Sequence, residues 1–199
     1  MVIYGDSRSG NCYKLQLLCA LQGIDYQWQA VDIMAGETRT DSFLALNPNG
    51  KVPTLLLDDG RTLAESNAIM LYLAAGSTLI PTDSYAHARM MQWLFFEQYS
   101  HEPYIAVARF IKLYQGMPEA RQAEYETRLP GGYRALKVME QALTGNDYLV
   151  DNQLCLADIA LYAYTHVAHE GGFLLDDFPA IRCWLQRIQH ISGYRPMEA

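Results

Sequence analysis

Basic residues are scarce in this 199-residue chain: 15 Lys and Arg stand against 22 Asp and Glu, a net charge of −7. Neither half carries a basic stripe, so the electrostatic footprint of a nucleic-acid binder is missing. Cysteine is sparse and scattered, at Cys12, Cys19, Cys155 and Cys183, mostly inside apolar helical patterns. That placement argues against a disulfide framework and for reduced, buried thiols. No apolar run is long enough to span a bilayer. The opening Met1-Val2-Ile3-Tyr4 has neither the basic nor the long apolar region of a signal peptide. The expectation is a cytoplasmic protein with no membrane and no nucleic-acid partner. Internal repeats and low-complexity tracts are absent as well. What the chain has in plenty is apolar side chain, 50% of its residues. That is enough for a sizeable core in one large domain or two small ones, and too much for general disorder.

The two parts of the chain follow different patterns. Val2-Ile3-Tyr4 reads as a strand, and Cys12 to Leu21 as a helix with Leu15, Leu18, Cys19 and Leu21 at helical spacing. Gly23 stands where a helix ends. Tyr26 to Val31 alternates as a strand does, and Asp41 to Leu46 suits a short helix. Thr54 to Leu57, Asp58-Asp59-Gly60-Arg61 and Thr62 to Ala64 form a hairpin signal, with Asp-Gly supplying the positive φ of a tight turn. Ser66 to Ala75 then reads as a second long helix. The order βαβ followed by ββα implies a small mixed sheet covered by helices. Beyond Gly76 the 3.6-residue period dominates, over Tyr85 to Tyr114, Glu119 to Leu143, Leu156 to Ala168 and Phe178 to Ile191. The expected organisation is therefore an α/β domain over residues 1–76, a linker over 77–84, and an all-helical domain over 85–199. Pro103 should kink or break the first bundle helix, and Pro130-Gly131-Gly132 should interrupt the second.

Two segments stand out at element boundaries. Asn47 to Thr54 is turn-rich and ends in Val52-Pro53 immediately before an apolar strand, a position that tolerates proline. Glu65-Ser66 lies where strand passes into helix. Ser66 suits a helix cap, free N–H groups at a helix start attract carboxylates, and Glu65 beside them can accept from an ammonium group. A ligand carrying both an α-amino and an α-carboxylate group fits that corner. The segments "NPNGKVPTL" (Asn47 to Leu55), "LAESNAIMLYL" (Leu63 to Leu73) and "DNQLCLADIALYAY" (Asp151 to Tyr164), in this order, resemble the cytosolic glutathione transferase family. The resemblance spans essentially the whole chain. It implies a thioredoxin-like N-terminal domain and an all-α helix-bundle C-terminal domain. It also implies a cis Pro53, with the Val52 backbone pairing to the cysteinyl part of glutathione. Glu65 and Ser66 would hold the γ-glutamyl end, and Lys51 the glycyl carboxylate. The family is usually dimeric, so a homodimer is expected. The resemblance departs at Cys155, which stands where the family usually places a Ser or Thr cap three residues before Asp158. A thiol is a poor cap acceptor, so a weaker cap is expected there.

The residue that activates the glutathione sulfur in this family lies just after the first strand and is Tyr, Ser or Cys in different branches. Here the matching stretch is "RSGNCYK", Arg8 to Lys14. Ser9 takes the serine position, and Asn11 falls at a spacing used by some bacterial members. A free thiol titrates near 8.5, so only about 3% is thiolate at pH 7. Lowering that value by two units needs about 2.7 kcal/mol in favour of the anion. A hydroxyl donor, an amide donor and the positive end of a helix dipole supply it together, without a general base. On this reading the chain conjugates glutathione, as co-substrate rather than cofactor, to a small hydrophobic electrophile held by the helical domain. Two other readings stay open: a glutathione-dependent disulfide reductase of the same fold, and a non-catalytic glutathione-binding or stress-regulatory protein. Tyr4 lies too early, and Tyr13 sits one turn into the helix, where aromatics pack. Cys12 is the second cysteine position of a CxxC whose leading, reactive position is Ser9, so it is expected in the helix packing. His166 and His169 have a spacing that holds metals, but no third ligand is evident and no metal site is expected.

Overall fold

The computed structural model describes residues 1–197, and they divide into two compact units: Met1–Ser77 together with the segment from Ile191, and Thr78–His190. The first unit holds a four-stranded sheet in the order β2-β1-β3-β4. Its strands are β1 Val2–Gly5, β2 Gln27–Ala30, β3 Thr54–Leu56 and β4 Thr62–Ala64. β1 runs parallel to β2 and antiparallel to β3, and β3 is antiparallel to β4. The mixed character follows from the connections. A whole helix, α1 Gly10–Gln22, carries the chain from β1 to a parallel neighbour, while a tight turn returns it from β3 to β4. That turn closes where Asp59-Gly60 predicted it: Leu57 N–H donates to Arg61 O at 2.9 Å and Gly60 takes a φ of 85°. The helices of this unit are completed by α2 Asp41–Leu46 and α3 Ser66–Leu73. α1 ends on Gly23 in the left-handed conformation, where a Cβ would be strained. Ile3, Leu15, Leu18, Leu55, Ile69 and Met70 are fully buried and form the core that α1 and α3 share with the sheet. The segment from Ile191 belongs with this unit because it lies across α1: Tyr13 Oη donates to Arg195 O at 2.7 Å. A bundle pattern running to residue 199 did not separate that tail from the helices before it.

The second unit is built on helices: α4 Ser84–Phe96, α5 Glu102–Arg109, α6 Gln122–Leu143, α7 Leu156–Thr165 and α8 Pro179–Gln189. α7 is buried along its whole length and forms the centre. Pro103 leaves its mark just upstream, where the chain widens into a π-helical turn over Glu97–His101 and Glu102 N–H donates to Glu97 O five residues back. Such a turn absorbs the rung a proline cannot make.

Pro130-Gly131-Gly132 overturns its expectation. α6 runs unbroken through all three residues. The glycines are there for packing. A Cβ on Gly131 would enter the Tyr104 ring, and one on Gly132 would enter the Phe173 ring. α5 packs against α6 along this stretch, so the missing side chains let two elements approach at the cost of local helix propensity. Cys155 does begin α7, but Asp158 carries the cap: its Oδ2 accepts from Cys155 N at 3.0 Å and from Cys155 Sγ at 3.5 Å. Its Oδ1 accepts from Leu149 N at 3.1 Å and from Trp184 Nε1 at 3.0 Å. Among the described residues, no helix is long and apolar enough to cross a membrane.

Candidate functional site

The sheet register brings three separate parts of the chain to one edge. Thr54 of β3 stands opposite Tyr4 of β1 and opposite Ala64 of β4. The chain leaves β1 into the Asp6–Ser9 loop, enters β3 from Val52-Pro53, and leaves β4 into Glu65-Ser66, all at that end of the sheet. The residues singled out in the sequence lie there.

The β1–α1 loop closes on itself. Asp6 Oδ1 accepts from Arg8 N at 2.8 Å, and Asp6 O accepts from Ser9 N at 3.0 Å. Ser9 is the N-cap of α1, and its Oγ accepts from Cys12 N at 3.4 Å. Capping uses a lone pair of the hydroxyl and leaves its hydrogen for donation. The cap and a thiolate-stabilising role are therefore compatible in one side chain. Cys12 has 0% exposure, and burial pushes its thiol up to about 12. It is a packing residue with neither the access nor the ionisation of a reactive cysteine. Tyr13 is fully buried as well.

The loop before β3 is pinned by Asn47, which is itself buried. Its Nδ2 donates to Lys51 O at 2.8 Å and Thr54 Oγ1 at 3.2 Å, and its Oδ1 accepts from Asn49 N at 3.1 Å. Thr54 Oγ1 donates to Lys51 O at 3.1 Å. The Val52-Pro53 peptide bond is cis. Pro53 is buried, Val52 is partly exposed and Lys51 reaches into solvent. At the start of α3, Glu65 is exposed and has a φ of 69°. That is a costly conformation for a residue with a side chain, roughly 1–3 kcal/mol, and such strain concentrates at ligand sites. Ser66 behind it is buried, and its Oγ donates to Asn11 Oδ1 at 3.2 Å. The structure thus joins the first turn of α1 to the first turn of α3 directly.

Four residues of this arrangement escaped the sequence reading. Asn47 and Thr54 lock the loop, while Lys14 and Asn67 hold the Ser66 corner: Lys14 Nζ donates to Ser66 Oγ and to Asn67 Oδ1, both at 3.1 Å. The available signal for Lys14 was a lysine in an otherwise apolar helical run, one turn on from Asn11. His166 serves packing in the helical unit. Its ring stacks on Tyr162 at 4.7 Å, its Nδ1 lies 2.9 Å from Tyr162 O, and burial lowers its pKa to about 4. Among the described residues, no group of three or more His, Cys, Asp or Glu side chains is placed to hold a metal ion.

The family model for the glutathione S-transferase N-terminal domain matches residues 8–75, and that for the glutathione S-transferase C-terminal domain matches residues 87–191. The chain belongs to the glutathione S-transferase family. Among its relatives, a maleylacetoacetate isomerase of Pseudomonas aeruginosa is 30% identical over 98% of this chain and 92% of its own length. Glutathione S-transferase 1 of Schizosaccharomyces pombe is 28% identical over 85% of this chain and 83% of its own length. Among solved structures, a glutathione S-transferase from Pseudomonas fluorescens Pf-5 superposes with a TM-score of 0.97 at 56% identity, covering 100% of this chain and 98% of that one. One from Xanthobacter autotrophicus Py2 gives 0.94 at 44% identity, covering 98% and 96%. Family membership accounts for the fold of both units, a thioredoxin-like sheet domain and a helical domain, as the resemblance in the sequence implied.

Proposed function

We propose that this chain binds glutathione in its first domain, residues 1–76, stabilises the thiolate, and conjugates it to a small hydrophobic electrophile. The helical domain would follow a linker over 77–84. The observation that carries the reading is the Ser66–Asn11 hydrogen bond, which ties the corner suited to an amino-acid ligand to the loop suited to a thiolate. In this reading the N–H groups at the start of α3 and the Ser66 side receive the γ-glutamyl carboxylate, and Glu65 receives its ammonium group. The Val52 backbone pairs with the cysteinyl residue, and Lys51 faces the glycyl carboxylate. Ser9 and Asn11 donate to the sulfur. The thiol gives its proton to solvent. The sulfur then attacks the electrophilic carbon, a C–S bond forms, and the leaving group departs with its electron pair. Glutathione is the co-substrate, and no further cofactor enters these steps. The protein works as a cytoplasmic homodimer.

The isomerase relative favours a second reading on the same site. There the thiolate adds to a maleyl acid and is eliminated after rotation, so glutathione is regenerated. The disulfide reductase reading loses its one-cysteine form, because Cys12 is sealed in the core, and would need a second glutathione as the resolving thiol. The test is retention on immobilised glutathione followed by turnover of aryl halides, epoxides, maleyl acids and disulfides. Retention with conjugate formation supports the first reading. Isomerised maleyl acid without net glutathione consumption selects the second. A protein that is not retained and turns over none of them refutes both.

A further inference from the structure

Gln16 sits beside Leu15, Leu17 and Leu18 in the buried middle of α1 and is only 4% exposed. Among the described residues its side-chain amide has no hydrogen-bond partner. A buried amide left unpaired is costly, and folded proteins rarely keep one without a use. This one lines a cleft of about 510 Å³ in the first unit, beside the C-terminal end of α1. The cleft is walled by Gln16, Cys19, Asp25, Tyr26, Trp28 and Arg195 among others. Small-molecule sites span about 300–1,000 Å³ and pair aromatic walls with a few placed polar groups. Tyr26 and Trp28 are two apart at the start of β2, so their side chains share a face of the sheet. Their rings meet edge-on, with centroids 6.5 Å apart at 71°. Gly5 backs the indole, which a Cβ there would enter. Cys19 is 1% exposed, and burial pushes its thiol up to about 12, so it adds an uncharged wall. Among the described lining residues one acid, Asp25, balances one base, Arg195, and the field favours neither an anion nor a cation. An amide presents an acceptor oxygen and a donor NH2 side by side. Its bidentate complement is a ring edge with a donor next to an acceptor, as on a purine. A flat ring also suits the indole and phenol faces.

We propose that this cleft is a second binding site, for a neutral planar heterocycle whose edge carries an N–H donor beside an acceptor, a purine or a related ring. Gln16 reads that edge, and Trp28 and Tyr26 hold the ring. The site lies at the opposite end of the sheet from the glutathione corner. β2 starts where Gln27 pairs with Val2, whereas Ser9, Val52-Pro53 and Glu65 stand past the Tyr4–Thr54 end. The two sites share no residue, and the inference is independent of the glutathione reading.

Adenosine and inosine both carry such an edge, and purine riboside, which has no exocyclic group, lacks it. The experiment titrates each into the full chain, with binding read by calorimetry and by quenching of tryptophan fluorescence. Adenosine or inosine should bind at submillimolar concentration, and purine riboside about tenfold or more weakly, as for a lost hydrogen bond to a buried partner. Trp28→Phe should remove most of the quench, because Trp93 and Trp184 belong to the second unit. Gln16→Leu should weaken binding by a similar factor of about ten while the melting temperature holds or rises, since no bond within the protein is lost. A glutamine with only a structural role would show the reverse. Saturating glutathione should shift the adenosine Kd by less than about twofold, as for separate sites. Failure of both adenosine and inosine to bind at millimolar concentration overturns the inference. So does purine riboside binding as tightly as they do, a result that needs no variant to fold. Unchanged binding in Gln16→Leu overturns it as well, and so does displacement by glutathione, which would put the ring in the other site.

Discussion

Gly132→Ala tests whether α6 carries its glycines for packing or for local conformation. Two effects oppose each other. Alanine in a helix interior is favoured over glycine by about 1 kcal/mol. Against this, the added Cβ would overlap the Phe173 ring and stand 3.2 Å from Ile105 Cγ1. Phe173 and Ile105 are both fully buried, so neither has solvent to move into. Overpacking a closed core costs about 1–3 kcal/mol, more where the backbone must shift. With the ring overlap at the upper end of that cost, packing wins, and Gly132→Ala should lower stability by up to about 2 kcal/mol net. Gly131→Ala meets Tyr104, which is only half-buried and can swing outward. Its propensity gain should then roughly cancel the contact, leaving it near the parent. The assay is urea and thermal unfolding of the three proteins side by side. For a chain of this size each kcal/mol moves Tm by about 2–4 °C, so the Gly132→Ala shift is measurable. Alanine at Gly132 that raises the melting temperature would refute the packing argument, since that is the outcome for a glycine serving only as a helix breaker.

Ser9→Ala should raise the titration midpoint of bound glutathione by about one to two units at ~1.4 kcal/mol each, with a smaller change in glutathione affinity. Cys12→Ser should leave activity nearly intact, and the opposite pattern would make the loop a one-cysteine redox site. His166 has a folded pKa of about 4 against an ordinary 6.5, so the folded state binds fewer protons than the unfolded. The stability this confers is full above about 6.5 and is lost as pH falls toward 4, roughly 3 kcal/mol at most. His166→Gln should therefore close the gap to the parent across that window. Burial pushes Asp158 up to about 6, and its own contribution falls as pH rises from the unfolded carboxyl range through that value, but it is common to both proteins and cancels in their difference. A gap that does not vary with pH would show that His166 is not the group titrating. α4 and the turn after it expose Tyr85, Phe95 and Tyr99, and sedimentation at micromolar concentration should find twice the 22.5 kDa chain mass. A species of chain mass alone would rule out the homodimer.

Much of this protein was already readable in its residues, and the legible features share one property: their causes lie within a turn or two of chain. The short strands, the αL stop at Gly23, the Asp59-Gly60 hairpin and the span of α2 follow from periodicity and turn chemistry. Ser9, Val52-Pro53 and Glu65-Ser66 could be picked out because each marks an element boundary, where backbone groups are exposed to a ligand. Features that depend on partners far along the chain were not legible. Pro130-Gly131-Gly132 has the composition of a breaker, and only Tyr104 and Phe173 pressing on it explain an unbroken helix. Lys14 has the composition of a surface residue. Its ammonium donates to Ser66 and Asn67, 52 and 53 residues away, and the same serine donates to Asn11 at a separation of 55. The tail after Ile191 joins the first unit through a tyrosine 182 residues earlier. Local propensity selects elements because neighbours along the chain are always present. Packing distances and buried hydrogen-bond partners are decided by which side chains the fold brings together, and those exist only once the chain has closed.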